Sequence, residues 1–212
     1  MKRRIARDLL KIRAVFLRPD EPFIWASGIK SPIYCDNRLT LSDVEVRDDV
    51  ENALAKIITR HFPECEMVMG TSTAGIAHAA LVANILEMPM GYVRNNAKDH
   101  GRNNQIEGRC EPGTKVVVIE DLISTAGSAV DVAEALRAAG AEVLGIASIF
   151  NYGMKAGEDR LRDHELKNVS ATNYDVLLEV ASGEGYIKKE NIPALKAFRD
   201  NPSDERWINN LK

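Results

Sequence analysis

Residues 116–129 read VVVIEDLISTAGSA. Four apolar residues run into two carboxylates, Glu120 and Asp121, and then into a turn of small residues, Ser124 to Ser128. An uninterrupted apolar run of this kind marks a strand buried on both faces. In open parallel sheets ligands gather outside the carboxyl ends of the strands, so Glu120 and Asp121 emerge where a ligand would sit. Small residues let the main chain close around an oxyanion, and the N–H groups and dipole of a following helix attract negative charge. A ligand that wants both paired carboxylates and a phosphate cradle is a ribose 5-phosphate, its hydroxyls on the acids and its phosphate in the turn. The chain holds neither the GxxxxGK[ST] of a Walker loop nor the GxGxxG of a dinucleotide site. An acidic pair alone is usually solvated surface. Here the buried strand before it and the Ser-Thr-Ala-Gly-Ser turn after it make it a site.

The elements that must position these groups follow from periodicity. Ile5, Leu9, Ile12 and Phe16 predict an amphipathic helix ending before Pro19. FIWASGIKSPIYCDNR (23–38) has two short apolar stretches around turn residues and predicts a hairpin. Ser42 with Glu45 reads as a capping box opening a helix whose stripe is Val46, Val50, Ala53, Leu54, Ile57 and Ile58. Strands are expected at 66–70, 90–93, 115–120 and 142–150, and helices at 74–86 and 127–140, the latter stopped by Gly140. Shorter helices are expected around 155–163, 173–182, 191–199 and 203–211. This alternation predicts one α/β domain over 1–212, with a mostly parallel sheet covered by helices on both faces. Within it, 1–40 form an N-terminal unit, 66–151 the core, and 152–212 a helical C-terminal cap. RNNAKDHGRNNQIEGR (94–109) stands apart, because only Ala97 and Ile106 in it are apolar. Loops this long are usually functional or disordered.

Composition narrows the class. The 212 residues are 45% hydrophobic and 28% charged, with a net charge of −3, as in an ordinary globular protein. No overall basic field points to nucleic acid or an anionic membrane as partner. Cys35, Cys65 and Cys110 are odd in number and show no zinc spacing, so reduced cysteines are expected. MKRRIARDLL lacks the continuous apolar core of a signal peptide, and no apolar run has the length of a membrane span. The expected location is the cytoplasm. His61, His78 and His164 read as structural, and no metal ligand set is apparent.

VVVIEDLISTAGSA resembles the phosphoribosyl-pyrophosphate signature of the type I phosphoribosyltransferases. YVRNNAKDHG (92–101) followed by NQIEG (104–108) resembles the mobile lid of the orotate-specific members. FIWASGIKSPIYCDNR and GTSTAGIAHAA (70–80) resemble their N-terminal and pyrophosphate-side segments, in the expected order from about residue 10 to 155. The resemblance implies a type I phosphoribosyltransferase fold with a small N-terminal hood and a lid over 94–109. It implies transfer of ribose 5-phosphate from phosphoribosyl pyrophosphate to N1 of orotate, with Mg²⁺ held mainly by substrate oxygens and no protein metal ligand. It puts Arg94, Lys98 and His100 on the pyrophosphate, with Lys98 catalytic. It puts Glu120, Asp121, Leu122, Ile123, Ser124, Thr125, Ala126, Gly127 and Ser128 on the ribose and 5-phosphate, Ser124 also reaching orotate. It further implies a homodimer whose lids cross to the neighbouring subunit's site. Asn95, Ala74 and Ala26 stand where some relatives carry lysine. Either Lys98, Arg94 and Mg²⁺ then carry more of the load, or Lys30, Arg38 and Arg102 substitute. Transfer to a purine base, or non-enzymatic sensing of phosphoribosyl pyrophosphate, are the alternative readings.

Overall fold

The computed structural model describes residues 1–25, 28–94 and 105–211. Helix α1 (Lys2–Lys11) buries Ile5, Ala6, Leu9 and Leu10. It stops sooner than the apolar spacing predicts. Arg13 takes a positive φ of 58°, and Val15–Leu17 become strand β1. Phe16 therefore leaves the helical stripe and pairs with Tyr34, because β4 (Ile33–Cys35) offers β1 an antiparallel partner. Between them β2 (Phe23–Ile24) and β3 (Lys30–Ser31) form the expected hairpin.

After a 3₁₀ turn over Asn37–Ser42 comes α2 (Val44–His61). Its N-cap is Asp43, whose carboxylate accepts the Val46 N–H at 3.1 Å. The predicted box of Ser42 and Glu45 is displaced by one residue, since Ser42 is still occupied in the 3₁₀ turn. The predicted stripe is buried throughout.

Next come β5 (Met67–Thr71), α3 (Ala74–Leu86), β6 (Met90–Val93), β7 (Ile106–Glu107) and β8 (Lys115–Ile123). They are followed by α4 (Gly127–Ala138), β9 (Glu142–Asn151), α5 (Lys155–Asp163), β10 (Asn168–Asn173), α6 (Tyr174–Gly183) and α7 (Ile192–Asp200). The six-stranded sheet has the order β10-β9-β8-β5-β6-β7. All neighbouring pairs are parallel except β6–β7. Two of these strands were not legible in the sequence. β7 lies in the polar 94–109 stretch, and β10 lies in the region read as a helical cap. β10 is polar, and its Ser170 is matched across the sheet by Ser148 at 2.7 Å, so composition concealed it.

Alternate residues of β8 enter two cores. Val117 and Ile119 pack with α1, α2 and α3 on one face, and Val116 and Val118 with α4 and α5 on the other. α3 lies close on the sheet, because a β-carbon at Gly75 would overlap the Ile119 carbonyl. Where α3 meets α2, His78 Nδ1 is 2.6 Å from Glu51 Oε1, both side chains fully buried. Burial pushes the Glu51 carboxyl above its usual range, and His78 pulls it back. That is the structural role expected for His78. An aromatic cluster joins the N-terminal strands to the C-terminal helices: Trp25 packs edge-on to Tyr152 and Phe198, and Phe198 on Trp207.

The cap assignment is checkable. Asp43→Ala should cost about 1 kcal/mol, lowering the melting temperature by roughly 2–4 °C for a chain of this size. Ser42→Ala should leave it unchanged.

Candidate functional site

β8 outruns its apolar core. Pairing with β9 continues to Ile123–Asn151, but pairing with β5 ends at Gly70–Ile119. The sequence expectation stopped the strand at 120, because acidic residues end the apolar pattern, whereas the ladder to β9 carries Glu120, Asp121, Leu122 and Ile123 onward. A crevice therefore opens at the carboxyl ends of β5 and β8, where chain connections diverge to opposite sides of the sheet.

Glu120 is only 6% exposed. Its Oε1 accepts two hydrogen bonds, from Thr71 Oγ1 and from the Asp121 N–H, each at 2.9 Å. Burial, and then the neighbouring Asp121 carboxyl, push its pKa up to about 8. Asp121 is half-buried at the mouth of the crevice, and its carbonyl accepts the Asn37 side-chain amide at 2.7 Å.

The chain then turns. Ala126 adopts a left-handed φ of 60°, uncommon for a residue with a β-carbon, and α4 begins at Gly127. No side chain caps this helix, although serine, threonine and serine stand at 124, 125 and 128. Its N-terminus thus presents main-chain donors and the positive end of the dipole to whatever lies in the turn. Thr125 and Ser128 are exposed and Ser124 half-buried. Leu122 and Ile123 instead direct their side chains into the two cores, so only their main chain can meet a ligand. α5 presses on the turn from behind, since a β-carbon at Gly157 would overlap the Ser124 carbonyl. The same helix brings an Arg160 guanidinium nitrogen to 2.9 Å from where a Gly127 β-carbon would be.

Arg94 stands on the opposite wall. Its main-chain N–H donates to the Gln105 carbonyl at 2.9 Å, and its Nε is 3.0 Å from Glu107 Oε1. A pocket of about 170 Å³ lies between Arg94, Gln105 and Val93 on one side and Ser128, Asp131 and Val132 on the other. The structure thus brings Arg94, Glu120, Asp121 and the 124–128 turn to one end of the sheet. Lys98, His100, Arg102, Asn95 and Ala26 lie outside the described residues. Lys30 and Arg38 each hold a carboxylate, Glu205 at 2.9 Å and Asp36 at 2.6 Å. No group of three or more His, Cys, Asp or Glu side chains placed for a metal ion occurs among the described residues.

Three contributors escaped the sequence reading. Thr71 sits in the GTSTAG stretch, where a polar residue ending a buried strand was available as a signal. Asn37 lies 84 residues from its partner Asp121, and no local pattern announces it. Arg160 is one of several cations on an exposed helix and carries no distinguishing mark in sequence.

Residues 44–179 match the phosphoribosyl transferase domain. An orotate phosphoribosyltransferase of Bacillus subtilis is 55% identical over 208 residues, covering 98% of this chain and 96% of that one. The chain belongs to the orotate phosphoribosyltransferase family. Among solved structures, orotate phosphoribosyltransferase from Aeropyrum pernix superposes with a TM-score of 0.70 at 27% identity, over 82% of this chain and 97% of that one. A longer Leishmania donovani protein, UMP synthase, gives a TM-score of 0.78 at 26% identity, over 92% of this chain and 41% of that one. The family's fold accounts for the mostly parallel sheet and for the crevice beside the acidic strand end.

Glu120 gives a signed pH prediction. Its folded pKa of about 8 exceeds the ordinary value of 4.5. Between those values the native state holds a proton that the unfolded chain has lost, so this group's contribution to stability falls as pH rises. The slope is up to about 1.4 kcal/mol per pH unit, vanishing above pH 8. Glu120→Gln should therefore gain stability relative to the parent chain between pH 5 and 8. Urea unfolding at several pH values measures this, and parallel profiles for the two chains would refute it.

Proposed function

We propose that this chain carries out the reaction of its family with the acidic strand end and the 124–128 turn as its sugar-phosphate site. The reaction transfers the ribose 5-phosphate of phosphoribosyl pyrophosphate to N1 of orotate. It yields pyrophosphate and orotidine 5′-phosphate, a step of pyrimidine (UMP) biosynthesis. The observation that carries the site assignment is the uncapped α4 N-terminus, set by a left-handed Ala126 immediately beyond two carboxylates.

In this reading the ribose 2′- and 3′-hydroxyls donate to Asp121 and Glu120, and the 5-phosphate sits in the 124–128 main-chain donors, with Arg160 beside it. Ser124, where the turn faces the base, also contacts orotate. The transition state is a sugar cation losing a polyanion, so no protein nucleophile is needed. What is needed is positive charge where pyrophosphate accumulates negative charge, and a site closed to water. Arg94, Lys98 and His100 supply that charge, with Lys98 the catalytic group. Mg²⁺, when bound, neutralises the diphosphate. The hard oxygen character of Glu120 and Asp121 suits an ion that keeps substrate oxygens and water as its ligands.

A homodimer with shared lids is part of the proposal. α3 carries apolar residues around its whole circumference, including exposed Ala80 and Ile85, which suits a helix covered by a second copy. No helix among the described residues is long and apolar enough to cross a membrane, and all three cysteines are free. Both suit the proposed cytoplasmic location.

Lys98→Ala should lower kcat by about 100-fold or more while leaving thermal unfolding unchanged. The assay follows the loss of orotate's ultraviolet absorbance, with adenine and hypoxanthine as competing bases. Unchanged kinetics would remove Lys98 from the mechanism, and turnover of a purine base instead of orotate would overturn the substrate. For the dimer, Ile85→Asp should shift sedimentation to the monomer. Mixed Lys98→Ala and Asp121→Asn chains should regain activity that neither has alone.

A further inference from the structure

We propose that Asn37 is a positioning residue for the ribose-binding carboxylates, holding the strand end that carries them from the side where β5 has stopped. The inference rests on the assignment of Glu120 and Asp121 to the ribose hydroxyls.

Beyond Gly70–Ile119 the β5 ladder no longer pairs with β8. Residues 120–123 are thus fixed by β9 on one side, while the other side faces the crevice. An unsupported strand end would let the Asp121 main chain move, and its carboxylate with it. Asn37 enters that gap. It follows β4 and is fully buried in the first turn of the 3₁₀ segment. Its Nδ2 donates to the Asp121 carbonyl at 2.7 Å, a hydrogen bond across 84 residues of sequence.

The amide's own orientation is fixed from behind. Cys35 Sγ donates to Asn37 Oδ1 at 3.3 Å, which makes that atom the oxygen and leaves the nitrogen facing Asp121. Burial, with the Asp121 and Asp36 carboxylates, raises the Cys35 thiol far above its usual range, so the thiol keeps the proton it donates. Thr40 Oγ1 secures the segment by donating to the Asn37 carbonyl at 2.6 Å. A thiol, an amide and a main-chain carbonyl thus form a directed chain from the N-terminal strands to the site. Its counterpart on the same carboxylate pair is Thr71, which holds Glu120 from β5.

The test separates positioning from general stability. Asn37→Ala should raise the KM for phosphoribosyl pyrophosphate about tenfold, the loss of roughly one well-made hydrogen bond, while the KM for orotate stays within about twofold. Cys35→Ser keeps a donor to Asn37 and should behave as the parent chain. Cys35→Ala removes it and should raise the same KM by a smaller factor. If Asn37→Ala does not fold, the Cys35→Ser and Cys35→Ala pair carries the comparison. A folded Asn37→Ala chain with both KM values unchanged, or changed equally, would overturn the proposal, as would identical behaviour of the two Cys35 variants. Asp121→Asn is the control. If it too leaves the phosphoribosyl pyrophosphate KM unchanged, the ribose assignment itself fails; if it raises that KM and Asn37→Ala does not, only the role of Asn37 fails.

Discussion

A carboxyl group pulled out of water must find hydrogen-bond donors or keep its proton. Glu120, buried at the end of the central strand, does both. Thr71 and the Asp121 N–H serve one of its oxygens, and its pKa lies near neutrality. Asp121, one residue further and half in solvent, is the partner that lifts it. A polyol such as ribose presents hydroxyl donors suited to two adjacent acids of this kind. The segments around the crevice are best understood as what keeps these carboxyls in place before any ligand arrives.

Those segments come from distant parts of the chain. Asn37 reaches in from the N-terminal strands, Thr71 from the end of β5, and Gly157 lets α5 lie directly on the turn that follows β8. Each acts on main chain or on a buried oxygen and not on exposed charge, so their effect depends little on salt. Arg94 belongs to the other wall. In the proposed reaction its contribution, with that of Lys98 and His100, is electrostatic and is made as the diphosphate leaves.

Apolar periodicity made the architecture readable, because a parallel sheet buried on both faces leaves long, uninterrupted signatures such as 116–119. It failed where packing depends on something other than apolar surface. β10 pairs its buried Ser170 hydroxyl with Ser148 on the neighbouring strand, and β7 is two residues inside a polar stretch. Phe16 fitted a helical stripe until β4 offered it a strand partner. In the site, the local motif 120–128 was legible because its residues are contiguous. Asn37 and Arg160 were not, since only the folded chain places them beside it. The end of β8 was misjudged for a related reason: charge ended the apolar pattern while the hydrogen-bonded ladder ran on.

The aromatic cluster has a practical consequence. The chain has two tryptophans, Trp25 and Trp207, and both pack against the Phe198 ring. Trp25 also meets Tyr152, whose N–H donates to the Ile123 carbonyl at the base of the 124–128 turn. The protein's intrinsic emission thus arises from one small volume, two contacts from the turn. If the turn holds a sugar phosphate as proposed, binding is expected to register there as a change in colour or intensity, with no label attached.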